Sequence, residues 1–388
     1  MQSAARIGFS RLLTRYAIGA NSLAAADRAI QLTPSDAEAH RARATVLNRL
    51  HRPAEAKASL ETATRLRSQH ATLWLELGAT REELDDIEGA LAAFDQAVRY
   101  APSYAEPQWQ RGNLLLRMGR YDEAFADLRL AAAGNRKLLP NVIDLAWGLT
   151  GGDAKRTEDL IQVSNDQDRL EFARFLARKG KGSETLNQVA LLNAPLFGDN
   201  NDELVRLLVA SKNFREAFSL WKGSELSEGF VNGMFEDPLV FDTCCFLWVI
   251  SQGQAKANFA LDVSEKFSGE KSLKVSFNGE WNPGAPLLSQ TIVLGPGHFR
   301  INFALKTKDL VTGGPVRIVL TDATNEQILA RSETFPQSTD SWQQMNVELT
   351  TTTAAKAIVV SLKRENCASS PCPIFGTIWL DEFWFQKL

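Results

Sequence analysis

Three segments, starting at Ala37, Ala71 and Ala105, repeat one pattern with a spacing of 34 residues. Ala44, Gly78 and Gly112 hold one equivalent place, followed by Ala56, Ala90 and Ala124, then Leu60, Phe94 and Leu128, then Ala63, Ala97 and Ala131. Self-similarity at this period restricts the chain to stacked copies of one small unit, none of which buries its apolar face alone. The small residues mark close helix crossings, and the large ones fill the space between neighbouring helix pairs. An earlier half-copy is visible in AADRAIQLTPSD, where Ala29 and Pro34 hold the corresponding places.

The middle copy carries Trp74, Leu77, Gly78, Ala90, Phe94, Ala97 and Pro102. In that register it resembles the tetratricopeptide repeat family. The first copy departs with His40 for the tryptophan and Ser68 for the proline, the third with Gln108 and Arg136. Beyond Leu139 the motif fades, but helical periodicity continues in PNVIDLAWGLT, DRLEFARFLARKG, SETLNQVALLN, DELVRLLVASKN and FREAFSLWKG. Residues 1–225 therefore read as one α-solenoid of paired helices, whose clearest repeats are 37–70, 71–104 and 105–138 and whose degenerate hairpins fill 139–222. Such solenoids offer a groove lined by the first helix of each pair, suited to an extended peptide or a partner protein. Polar first-helix residues that the packing motif leaves over are Arg43, Asn48, Arg81, Gln108, Arg111 and Asn113, the candidate groove.

After the linker KGSELSEG the period changes to two. A strand-like run, VNGMFEDPLVFD, begins at Val231, and apolar alternation follows in KSLKVSFN, PLLSQTIVL, HFRINFALKT, VRIVLTD, QQMNVELT, AIVVSLKR and TIWLDEFWF. Turn signals between them (SG, NPG, GPG, TGG, TNE) predict a β-sandwich over 226–388, the size of one jelly roll. The chain is thus expected to be multidomain, an α-solenoid followed by a jelly-roll sandwich. Its 388 residues and 44% hydrophobic content suffice for a core in each.

Charge excludes one partner class. Residues 1–225 hold 30 Lys and Arg against 29 Asp and Glu, and the remainder 13 against 17, so neither half has the basic excess that nucleic acid requires. No run of eighteen apolar residues exists, and the first twenty lack the continuous apolar core of a secretory signal. The cysteines lie at 244, 245, 367 and 372, and CASSPC closes a small loop between Cys367 and Cys372. A disulfide there predicts an extracytoplasmic, periplasmic or envelope-associated location, with a leader or anchor once ahead of Met1. Four reduced buried thiols in a cytoplasmic protein are the alternative.

The β half resembles carbohydrate-binding modules of the family 4/9 type, within the galactose-binding-like jelly rolls. The resemblance is carried by NGMFE at 232–236, Phe246 with Trp248, SGEKSLKV at 268–275, SQTIVLGPGHFRINFALK at 289–306, Trp342 and the closing IWLDEFWF at 378–385. It implies a structural Ca²⁺ held by Glu236, by backbone carbonyls around Ser264, Gly269 and Lys271, and by Asp381. Exposed or lysine-paired carboxylates are the alternative. It also implies a glycan site, which needs a flat exposed aromatic face beside directional polar groups. Trp248, Trp379 and Trp384 lie in apolar strands and read as core, whereas Trp281 reads as a loop residue beside Glu280 and Asn282. Gln290, Arg300, Lys306 and Arg364 are possible polar partners on a sheet face.

Catalysis has little support. His298 is the lone histidine of the β half, in a GPGHF turn with neither nucleophile nor orienting acid nearby, and Cys244–Cys245 is no CxxC motif. Phosphate-loop and dinucleotide fingerprints are absent. The resulting expectation is a non-catalytic adaptor that binds protein through the solenoid and a polysaccharide through the jelly roll, by analogy in bacterial envelope polysaccharide assembly or export. A purely structural assembly protein, whose jelly roll binds no carbohydrate, is the rival reading.

Overall fold

The structure, a computed structural model, describes residues 2–222, 229–239, 246–251, 255–282, 284–351, 356–367 and 371–388. Cys244 and Cys245 lie outside the described residues. The architecture is helical up to Lys222, with two antiparallel sheets after it. By contact the chain groups into residues 1–171 and 172–388. The change from helix to strand and this grouping therefore fall at different places.

The first unit holds α1 (Gln2–Ala20), α2 (Leu23–Leu32), α3 (Ala37–Arg49), α4 (Pro53–Leu66), α5 (Ala71–Glu83), α6 (Ile87–Tyr100), α7 (Ala105–Arg117), α8 (Tyr121–Gly134), α9 (Leu139–Leu149), α10 (Ala154–Ile161) and the start of α11 (Asp166–Arg178). The 34-residue pattern acts through fixed contacts. A Cβ on Gly78 would stand 2.5 Å from the Phe94 ring, and one on Gly112 would stand 2.9 Å from Leu128 Cγ, so large and small residues sixteen apart are matched. The departures at the tryptophan position keep its hydrogen bond. Trp74 Nε1 donates to Ser68 O at 2.6 Å, His40 Nε2 to Pro34 O at 2.8 Å and Gln108 Nε2 to Pro102 O at 2.6 Å. The turns inside the hairpins pass through positive φ at His51 (56°), Asp85 (60°) and Gly119 (75°), again 34 apart.

The second unit continues with α12 (Gly182–Ala190), α13 (Asp199–Ala210) and α14 (Phe214–Lys222). The strands are β1 (Val249–Ile250), β2 (Ala255–Asp262), β3 (Ser272–Trp281), β4 (Pro286–Leu294), β5 (Gly297–Thr312), β6 (Val316–Asp322), β7 (Ile328–Arg331), β8 (Gln343–Thr351), β9 (Lys356–Arg364) and β10 (Ile374–Lys387). One sheet runs β1-β4-β9-β6-β7, the other β2-β3-β10-β5-β8. From β3 onward this is the order of a jelly roll. Its core joins Trp248, Phe277, Phe299, Phe303, Ile318, Leu362, Ile378 and Phe383 from both sheets. The last helix belongs to this unit, because Phe218 on α14 meets Phe246 edge-on with centroids 5.0 Å apart and Trp221 lies 5.7 Å from the same ring.

The expected opening strand at Val231 is corrected. Residues 229–239 are irregular, with Asn232 and Phe235 at φ of 52° and 54°, values a strand does not allow. Gly233 fits only because it has no side chain: a Cβ there would lie 2.3 Å from Phe383 O. Phe383 N donates to Gly233 O at 2.8 Å, so the segment is tied to β10 without joining a ladder.

Candidate functional site

Most groove candidates are ties within the repeats. Arg43 reaches Asp27 at 2.7 Å and Ser59 at 2.8 Å, sixteen residues back and sixteen forward. Arg111, two repeats on, makes the same pair of contacts with Asp95 at 2.9 Å and, through two nitrogens, with Asp127 at 2.6 and 2.7 Å. The Asp127 carboxylate holds the Arg111 guanidinium well above its ordinary value. Arg81 binds Gly89 O and Glu61, Asn48 donates to Thr80 Oγ1, and Asn113 donates to Trp109 O. Gln108 must be withdrawn from the groove: it is 4% exposed and substitutes for a packing tryptophan.

Among the first-helix residues that reach solvent, two rows four residues apart have one residue per repeat. Arg41, Leu75 and Trp109 make one row, and Thr45, Ala79 and Asn113, four residues further along, make the other. Ala79 is exposed and the rest are half-buried. Arg41 is held by Glu76, its Nε donating at 2.9 Å. The mix of aliphatic, aromatic, amide and hydroxyl groups suits an extended chain, whose side chains contact the rows while its backbone finds amide and hydroxyl partners. The rows were available from the 34-residue register once the packing positions were removed.

In the sandwich, Glu236 and Asp381 converge on one loop. Asp381 Oδ2 accepts from Phe267 N at 2.9 Å and Ser268 N at 3.0 Å, and Glu236 Oε1 accepts from Glu270 N at 2.7 Å and Lys271 N at 3.3 Å. Gly269 between these amides has φ of 61°, and a Cβ there would stand 2.0 Å from Glu236 Oε1. Lys271 Nζ donates to Glu236 O at 2.7 Å, and Ser264 N and Oγ turn to Asp262. Asp381 is fully buried, and burial pushes its carboxyl up, three amide donors oppose this, and the charge of Glu236 adds to the rise. Two carboxylates meeting on one loop are hard oxygen donors of the kind Ca²⁺ takes, and the loop contacts they make here are to backbone N–H groups.

The glycan candidates are largely corrected. Trp281 is no loop residue: it ends β3, is 3% exposed and stacks on Phe277 at 5.5 Å. It lies four residues from Phe277, so both share the core face of the strand. Gln290 (1% exposed) and Arg364 (0% exposed) also share parity with the core residues of their strands. Gln290 serves carbonyls of irregular segments, and Arg364 serves the last residue of β3 and the irregular segment before β10. Gln290 donates to Val231 O and Phe246 O, and Arg364 donates to Trp281 O, Cys372 O and Pro373 O. Arg300 pairs with Glu348 and Lys306 with Glu265, while Asn282 is exposed.

A different tryptophan is open. Trp248 and Trp379 are buried as expected, but Trp384 is 44% exposed. The reason is a bulge in β10, where Glu382 has φ of 50° and the register shifts between Asp381 and Trp384. The extra residue exchanges the faces beyond it, sending Phe383 inward and Trp384 outward. Trp384 lies opposite Asn302, which lies opposite Asn346, and the next row is Gln386, Arg300 and Glu348. Alternation alone assigns Trp384 to the core, and nothing in the local sequence marks the bulge.

Cys367 and Cys372 are joined as a disulfide, with Cα atoms 6.1 Å apart. No described helix is long and apolar enough to cross a membrane.

Residues 71–104 match the family model of the tetratricopeptide repeat. A 98-residue stretch is 31% identical to Protein FlbA of Caulobacter vibrioides, spanning 25% of this chain and 16% of that relative. Among solved structures, a MamA protein is similar at 15% identity over 50% of this chain and 98% of its own, with a TM-score of 0.36. PilF of Pseudomonas aeruginosa is similar at 21% identity over 56% of this chain and 98% of its own, also at 0.36. YrrB, a repeat protein of the same kind with an unusual peptide-binding site, is similar at 19% identity over 51% of this chain and 90% of its own, at 0.29. Residues 71–104 are thus a tetratricopeptide repeat, and the same 34-residue register recurs in the copies on either side of it.

Proposed function

We propose that this chain is a non-catalytic scaffold that holds an extended segment of a partner protein along its first helices. The observation that carries the reading is the double row Arg41, Leu75, Trp109 and Thr45, Ala79, Asn113, which packing leaves at the surface of three successive repeats. The match of 71–104 to a repeat family supports it. The test is capture of random peptides by the full chain, followed by Ala79→Arg. Ala79 is exposed, so the substitution obstructs both rows without entering the core. Loss of the captured peptides with an unchanged melting curve is expected, and retention of every one of them rejects the reading.

For the sandwich we propose a structural Ca²⁺ between Glu236 and Asp381, with a carbonyl-rich loop at 264–271 completing the set. Its part is to hold the irregular segment at 229–239 against β10. Glycan binding is a second reading, now moved from Trp281 to the row Trp384, Asn302, Asn346, because a flat aromatic beside two amides meets the needs of a pyranose ring. A glycan array with wild type and Trp384→Ala decides it, and equal signals from both reject it. The Cys367–Cys372 disulfide favours an oxidising compartment such as a cell envelope. A role there in polysaccharide assembly depends on that array, and a purely structural sandwich is the reading left if it fails.

A further inference from the structure

The regular helices α4, α6 and α8 each run 14 residues, but α10 stops after 8, turning out of the helix at Gln162 with φ of 49°. The C-terminal half of α8 thereby loses the neighbour that a full second helix would supply. A cavity of about 660 Å³ opens there, between α8, α9 and the turn leading into α11. It is bounded by α8, α9, the end of α10 and a connecting turn, whereas the groove rows stand on α3, α5 and α7.

Two features of its wall point to one ligand chemistry. Leu130, Ala133, Val142 and Ile161 form an apolar surface, and Leu130 is 55% exposed. Among them lies Arg129, whose NH1 donates to Leu160 O at 2.8 Å, its one hydrogen bond among the described residues. Among the described residues no carboxylate pairs with it. Arg136 at the rim, by contrast, is neutralised by Asp168 at 2.6 Å. Burial lowers the affinity of Arg129 for its proton with no acid to offset the effect. A half-buried guanidinium without a counter-charge is a site of unspent attraction for an anion.

We infer that this cavity is a second protein-binding site, separate from the groove, which takes a partner segment carrying an Asp or Glu side chain next to an aliphatic one. The carboxylate pairs with the free edge of Arg129, and the aliphatic side chain covers Leu130 and Ala133. A small free anion satisfies Arg129 but leaves the apolar wall wet, and an apolar peptide leaves the guanidinium unpaired. The volume accommodates two or three side chains.

The test pans a random decapeptide display library against the full chain and measures the best selected peptides by calorimetry at low and moderate salt. The expected consensus has Asp or Glu within two positions of Leu, Ile or Val. Arg129→Gln, which removes the charge and keeps an amide, lowers affinity roughly tenfold and flattens its salt dependence. Ala133→Trp, which fills the cavity from an exposed position, abolishes binding, and Ala79→Arg leaves it intact. Peptides that lack an acid, that ignore both cavity variants, or that respond to Ala79→Arg alone overturn the proposal, the last while upholding the groove. Failure to select any peptide overturns it as well.

Discussion

The repeats and the sandwich solve the same problem, where to put polar groups in a packed interior, over very different chain distances. In the repeats, Arg43 and Arg111 bind partners 16 residues away. In the sandwich, Asp381 meets the amide of Phe267 across 114 residues, and Trp379 meets Asp262 across 117. A periodic chain can reproduce a local tie in every copy, so substitution at one copy is tolerated if the replacement keeps the bond, as His40 and Gln108 do. A sandwich has one copy of each long-range tie.

That comparison is sharpened most by Arg111. Its forward partner Asp127 has 5% side-chain exposure, whereas Arg43 has Ser59 at that place and its carboxylate partner, Asp27, has 45%. Arg111→Ala strands a buried carboxylate and is expected to cost about 3 kcal/mol, while Arg43→Ala costs under about 1 kcal/mol. Chemical denaturation of both variants checks this, and equal losses would show that the two ties do not differ in burial as described.

The next effect lies in the sandwich. Calcium at about 100 times its dissociation constant stabilises by roughly 2.7 kcal/mol, and Asp381→Asn removes the gain. In chelator the buried Asp381 carboxyl has a folded pKa above its unfolded one. Its contribution is full below the unfolded value and is lost as pH rises through the folded one. Melts of wild type against Asp381→Asn should therefore separate with rising pH in chelator, the wild type losing ground, and added Ca²⁺ should reverse the order. Midpoints unmoved by Ca²⁺ remove the site.

The smallest effect tests the turns. His51 and Asp85 adopt positive φ where the third repeat has Gly119. His51→Gly is expected to stabilise by a few tenths of a kcal/mol, up to about 0.7, because relief of left-handed strain exceeds the added freedom of the unfolded chain. A lower midpoint in thermal denaturation contradicts this.

The same contrast governs what the sequence reveals. The 34-residue period locates the helices from α3 to α8, and alternation finds β3, β4, β5, β6, β8, β9 and β10. The short helix α10 escapes because AKRTEDLI carries too few apolar residues to display a period. In the sandwich, parity already assigns Gln290, Arg364 and Trp281 to the inner face, since they alternate with core residues, but a polar side chain or a nearby turn motif argues for the surface. Trp384 is illegible for a different reason: its orientation depends on one left-handed residue, Glu382, next to Phe383, which packs on and hydrogen-bonds Gly233 from 150 residues upstream.

The claim that the first helices hold a partner is tested most directly by hydrogen exchange of the full chain, with and without a peptide selected for binding that Ala79→Arg abolishes. Slowed exchange confined to α3, α5 and α7 is the predicted result. Protection that falls elsewhere and leaves these three helices unchanged would contradict it.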